Sequence, residues 1–183
     1  MIVHPFRPIP FHTFDCELDK EEYYGLCSYM QGSGAMEVDE YGILTDYHTQ
    51  EKNFDNGEVV IWHNYVIKHC GKQLQEFIKD EKAEDVLLKA VWTQQTNGKI
   101  FHGPHTHGDC NHFKNWSFVL YVDIDPEVHE PTEYYNFEFG ETFKAEPIPG
   151  KLIIWPSHIV HMQPASNSEL TRSIISGNME LVK

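Results

Sequence analysis

Between residues 57 and 85, apolar side chains recur at steps of three and four. Val59, Trp62, Tyr65, Val66, Cys70, Leu74, Phe77 and Ile78 fall on one face, the pattern of a long amphipathic helix with a buried stripe. Gly71 lies inside that run, and as a poor helix former it marks a place where the helix could divide. Upstream, LDKEEYYGLCSYMQGSG predicts a shorter helix: Asp19 suits the N-cap, acidic residues fill the first turn and glycines close the end. Residues 32–56 show no period and predict loop with one strand, and the proline- and aromatic-rich residues 1–18 predict an extended segment over the body. From residue 85 the pattern changes to alternation. VLLKAVWTQQT, NWSFVLYVDID, YYNFEFGETF, GKLIIWPSHIVHMQ and TRSIISGNMEL each read as a strand of β-branched and aromatic residues bounded by turn formers. Helices followed by many short strands predict a mainly β (α+β) chain, an antiparallel barrel or sandwich buttressed by N-terminal helices. The expected organisation is a single domain over residues 1–183, with 1–84 as helical and loop support and 85–183 as the core.

Composition narrows the classes. The 183 residues are 40% hydrophobic and 13% aromatic, enough to bury a core and unlike a disordered chain. No apolar run approaches the ~20 residues of a membrane span, and the first residues lack the basic and apolar regions of a secretory signal. Cys16, Cys27, Cys70 and Cys110 are scattered without a CxxC pair, which predicts reduced thiols in a cytoplasmic setting. With 28 acidic against 14 basic residues and a net charge of −14, the chain lacks the basic footprint that a nucleic-acid partner demands.

The chemistry concentrates in FHGPHTHGDCNHF, residues 101–113. His105, His107 and Asp109 stand at steps of two, so in extended backbone they share one face. Imidazole suits Fe, Zn, Cu and Ni, and two imidazoles with a carboxylate make the facial triad of non-haem Fe(II) oxygenases. A more distant ligand is available in PIPGKLIIWPSHIVHMQ, which carries His158 and His161, and Arg172 follows His161 by eleven positions. An arginine one strand from a metal site offers a planar fork to a carboxylate.

As a set, PHTHGDCNHFKNWSFVLYV, PIPGKLIIWPSHIVHMQPAS and LTRSIISGN resemble the 2-oxoglutarate/Fe(II)-dependent oxygenase superfamily. More narrowly, they are similar to the small oxygenases of this type found in tailed-phage and marine bacterial genomes. The resemblance covers residues 90–180. It implies a double-stranded β-helix (jelly-roll) with Fe(II) and 2-oxoglutarate as cofactors and O2 as cosubstrate. The implied activity is hydroxylation of a protein or small-molecule C–H; cysteine pattern, hydropathy and charge lead to the expectation of a cytoplasmic setting (the host's, if phage-encoded) with no membrane or nucleic-acid partner. His161 would be the distal iron ligand, and Arg172 would hold the far carboxylate of 2-oxoglutarate. Tyr121 would line the cosubstrate pocket. The first ligand pair stays open: His107–Asp109 fits the common His-x-Asp, His105–His107 the narrower family's His-x-His, and His107 belongs to both. Ile174 stands where the family often has a serine, leaving Ser176 or Asn178, on the same strand face as Arg172, as substitutes in carboxylate binding. His158 is expected not to ligate, His102 and His112 to be neighbours only, and Tyr134, Tyr135, Phe137 and Phe139 to be barrel wall. Two alternatives remain: a cupin-type metalloenzyme, although no glutamate follows the His-x-His in DCNHFKN, and a non-catalytic metal-binding or structural barrel.

Overall fold

The computed structural model describes residues 10–49, 61–107, 115–137 and 140–183; Val59, Phe139, Asp109, His112 and Cys110 lie outside them. Eleven strands are described: β1 (His12–Asp15), β2 (Glu37–Val38), β3 (Leu44–Thr45), β4 (Asp85–Asn97), β5 (His102–His105), β6 (Asn115–Asp123), β7 (Thr132–Asn136), β8 (Glu141–Ala145), β9 (Lys151–Pro156), β10 (Val160–Gln163) and β11 (Thr171–Val182). Among the described residues the helices α1 (Lys20–Gly32) and α2 (Ile61–Asp80) precede β4, and residues 47–49 are helical as well. The strands form a seven-stranded sheet in the order β1-β9-β6-β11-β4-β3-β2 and a four-stranded sheet in the order β5-β10-β7-β8. Every pairing is antiparallel. The fold is the expected mainly β jelly-roll with helical support, as two open sheets rather than a closed barrel.

Period-two alternation explains how the large sheet serves two cores. On β6, Trp116, Phe118, Leu120 and Val122 join the cluster that includes Tyr23, Trp62, Tyr65, Cys70 and Phe77 from the helices, while Val119 and Tyr121 join a second cluster with Tyr134 of β7. Strand β9 divides likewise, Leu152 and Ile154 toward the helices and Ile153 and Trp155 toward the small sheet. A strand buried on both faces shows an apolar run with little polar relief, and NWSFVLYVD and KLIIWP have that character. Gly177 on β11 is obligatory on packing grounds, since a Cβ there would meet the Phe118 ring at 2.5 Å.

Helix α1 starts at Asp19 as expected, its side chain accepting from the Glu22 amide at 2.9 Å. Helix α2 runs unbroken through Gly71, and its buried residues are the described members of the predicted stripe. Three features differ from expectation. The first half contributes β1, β2 and β3 to the large sheet, so it is more than support. YYNFEFGETF falls on the separate strands β7 and β8, with Gly140 at φ 64° before the second. GKLIIWPSHIVHMQ breaks at Pro156, where the Ile159 amide donates to the Pro156 carbonyl at 3.0 Å. The chain thereby passes from β9 in the large sheet to β10 in the small one. This crossing brings His161 to the space between the sheets.

Candidate metal centre

His105, at the end of β5, and His161, on β10, are directly paired across the small sheet. His107 lies just past β5, where its amide donates to the Ser157 carbonyl at 3.0 Å. The three imidazoles converge: one ligand atom from each lies within 4.8 Å of the others, and the ring centroids stand 4.2 to 5.1 Å apart. All three Nδ1 atoms face oxygen acceptors: the Gly103 carbonyl at 2.8 Å for His105, Asn178 Oδ1 at 3.0 Å for His107, and the Ile159 carbonyl at 3.3 Å for His161. With Nδ1–H donating outward, each ring keeps its Nε2 lone pair for a shared ion, the arrangement by which neighbouring oxygens orient metal-binding histidines. Burial, reinforced by the neighbouring imidazoles, holds the pKa of His107 down to about 4 and that of His161 to about 2; burial lowers His105 as well. The rings are therefore neutral, as metal ligation requires.

The imidazoles line a narrow cavity of about 40 Å³ that also receives Arg172, Thr132, Tyr134, Trp155 and Gln163. Arg172 is 6% exposed. Its Nη2 donates to Thr132 Oγ1 at 3.2 Å, its guanidinium carbon lies 5.6 Å from the Tyr121 ring centre, and its Nε has no hydrogen-bond partner among the described residues. No ion pair of Arg172 with a carboxylate occurs among them either. Thr132 Oγ1 is fully engaged, accepting also from the Tyr121 hydroxyl at 2.7 Å and donating to Gln163 Oε1 at 2.9 Å. Three further buried donors on the cavity wall lack partners among the described residues: the Tyr134 hydroxyl and the indole N–H groups of Trp92 and Trp155. A buried charge without a counter-charge is costly, and unsatisfied donors around one space call for an acceptor-rich, anionic occupant.

The structure thus brings His105, His107, His161 and Arg172 together, with Ile174 and Ser176 on the same wall. Tyr121 sits beneath Arg172 and is not at the wall, and Asn178 holds His107 and does not face the narrow cavity. Asp109 is outside the described residues. His158 is not in the cluster, whereas His102 stacks on His105 at 4.3 Å. Thr132 and Gln163 carry no signal singled out in the sequence, and Tyr134, expected as barrel wall, also lines the cavity. The alternation in TEYYN already places Thr132 and Tyr134 on one face, but only the sheet pairing reveals what that face looks upon.

No protein-family model and no curated protein sequence matches the chain. Solved structures do match in fold. A Pseudomonas putida prolyl-4-hydroxylase aligns over 96% of this chain and 94% of its own, at 14% identity and a TM-score of 0.60. A viral collagen prolyl hydroxylase from Paramecium Bursaria Chlorella virus-1, solved as a 2-oxoglutarate complex, aligns over 94% and 96% at 13% identity and a TM-score of 0.63. The epimerase SnoN, in complex with Fe3+, alpha ketoglutarate and nogalamycin RO, aligns over 94% and 79% at 8% identity and a TM-score of 0.69. At such identities the likeness is one of fold.

Proposed function

We propose that the chain is a 2-oxoglutarate- and Fe(II)-dependent oxygenase that hydroxylates a C–H bond of a protein or small molecule. The observation that carries this reading is a buried arginine, without a carboxylate partner among the described residues, opening on the same cavity as three converging imidazoles. His105, His107 and His161 would hold the iron through Nε2, and Arg172 would take the far carboxylate of 2-oxoglutarate. The donor set suits the metal: neutral imidazoles already oriented by oxygens behind them. When bound, iron with 2-oxoglutarate and O2 supplies the oxidising power that no side chain has. The chain's own work is to bind, orient and exclude water. The Arg172 fork fixes one end of a dicarboxylate, the Tyr134 hydroxyl and the Trp155 indole offer it further donors, and Val119 and Ile174 keep the wall dry. Solved proteins of like fold that bind 2-oxoglutarate or Fe3+ support the reading. A cupin-type metalloenzyme would use the same imidazoles but leaves Arg172 without a task.

The test is an anaerobic titration. Protein loaded with Fe(II) is expected to develop a saturable visible charge-transfer band as 2-oxoglutarate is added, and Arg172→Ala is expected to lose it at the same ligand concentrations. His161→Ala should lose iron binding by more than about 100-fold, beyond what removing a supporting group costs, while His158→Ala keeps it. Iron binding without the band points to the cupin-type alternative; equal iron retention in both histidine variants overturns the ligand assignment.

A further inference from the structure

A second, larger space adjoins the narrow cavity: a cleft of about 780 Å³, within the range of ligand sites. The two share Trp92, Gln94, His102, His105 and His107, so the cleft ends on the imidazole cluster. The β2–β3 hairpin lines it with Glu37, Asp39, Glu40 and Tyr41, and Tyr47 follows just beyond β3. Among the described residues no lysine or arginine lines it.

Six lysine ion pairs occur among the described residues, and they engage Asp15, Glu22, Asp123, Glu133, Glu169 and Glu180. Glu37 and Glu40 enter none. Asp39 has a local task, its side chain accepting from the amides of Tyr41 and Ile43 at 2.9 Å each and so closing the hairpin turn. Tyr41 is 60% exposed and Val38 66% exposed, and Tyr41 hydrogen-bonds Glu40, so among the described residues the rim joins carboxylates without a basic partner to exposed apolar and aromatic surface, a combination that attracts cations on chains with apolar stems. Deeper in, Trp92 is 3% exposed and stacks on His107 at 5.6 Å, and its indole N–H has no partner among the described residues. That donor lines both the narrow cavity and the cleft, and it calls for an acceptor such as a peptide carbonyl where the two meet. Among the described residues the two-residue strand β2 also ends the large sheet's order, a short edge at which an extended chain could pair.

We propose that the cleft receives a lysine- or arginine-bearing peptide as the prime substrate, its cationic side chains held by Glu37 and Glu40 and its backbone laid along β2 toward the imidazole cluster. This rests on the oxygenase reading for the word substrate, but the binding itself does not depend on iron or 2-oxoglutarate.

Fluorescence anisotropy tests it with a labelled peptide of alternating glycine and lysine, against the same peptide with glutamate for lysine, on the full chain with and without Fe(II). The lysine peptide is expected to bind at least about tenfold tighter than its acidic counterpart and to weaken as salt rises. The double variant Glu37→Gln/Glu40→Gln should weaken it by about five- to tenfold, as two partly screened charge contacts would. A control with the same change in net charge, Glu141→Gln/Glu146→Gln, at exposed positions at the start of β8 and just beyond its end, should change it less than about twofold. Equal weakening by both double variants means that general attraction to a chain of charge −14 explains the binding, and overturns the proposal. So does equal affinity for the lysine and glutamate peptides. Loss of the 2-oxoglutarate band with cleft binding intact overturns the oxygenase reading alone.

Discussion

The two faces of the large sheet are packed by different rules. On the helix side, buried polar groups find partners. The Trp62 indole donates to Asp46 at 2.6 Å, the Tyr23 hydroxyl meets Thr93 Oγ1 at 2.6 Å, and the Tyr65 hydroxyl donates to the Asp19 carbonyl at 2.9 Å. Even Asp46, 1% exposed, accepts a second bond from the Thr93 amide at 2.8 Å. Among the described residues the Trp116 indole and the Ser173 hydroxyl are exceptions there. On the side facing the small sheet, Arg172 Nε, the Tyr134 hydroxyl and the Trp92 and Trp155 indoles go without partners among the described residues. Among the described residues, open donors concentrate around one cavity, where a ligand would complete them, while most buried polar groups of the helix side are paired. A region that violates the usual accounting of buried polar groups is therefore a better guide to function than the best-packed part of the same protein.

Substitutions on the two faces should consequently differ in kind. The largest loss of stability is expected on the helix side. Phe77 is fully buried, with its ring 5.0 Å from both His12 and Trp116, and Phe77→Ala should cost about 3–5 kcal/mol through the cavity it leaves, measured by urea denaturation. On the cavity side Arg172→Met should show the reverse. The affinity for 2-oxoglutarate is expected to fall by a factor corresponding to about 2–5 kcal/mol, as when one partner of a charge pair is lost, read by the charge-transfer titration. The melting temperature should hold or rise, because a buried charge without a counter-ion gives way to an apolar side chain and Thr132 keeps its bonds to Tyr121 and Gln163. A large drop in melting temperature would show that Arg172 serves the fold and would erase the contrast.

Asn178 sharpens the same comparison. Its Oδ1 accepts from His107 Nδ1–H and from the Ser117 hydroxyl, each at 3.0 Å. Asn178→Ala should weaken Fe(II) binding by about 10-fold or somewhat more, since the imidazole loses the partner that orients it, with folding little affected; isothermal titration with Fe(II) checks it. The smallest effect is expected at α1. Asp19→Ala removes the N-cap and should cost about 1 kcal/mol, with iron and 2-oxoglutarate binding unchanged.

How far the chain could be read without its fold depends on the range of the interaction concerned. The α2 stripe and the Asp19 cap were legible because period and capping are local: the residues that decide them lie within one or two turns of each other. The strands of the second half were visible for the same reason, and so were His105 and His107, two positions apart, with His161 and Arg172 in their order. The sequence left open whether His107 joins His105 or Asp109. The structure puts His105 beside His107 and His161, a matter of cross-strand register with β10 that no local pattern encodes.

The division of GKLIIWPSHIVHMQ between two sheets was hidden because β9 and β10 are both apolar and nearly continuous, and periodicity does not report a change of sheet. Tyr134 looked like wall for a related reason: alternation says that a side chain is buried but not what it is buried against. By itself, then, the sequence determined the elements, their order and the types of side chain available for metal and carboxylate binding, because these follow from neighbours along the chain. The tertiary structure alone decided which imidazoles converge, that Arg172 has no carboxylate beside it among the described residues, and that an acidic hairpin from the first half borders the site. Each of those depends on contacts between residues some 30 to 140 positions apart, and only the folded sheets bring them within reach.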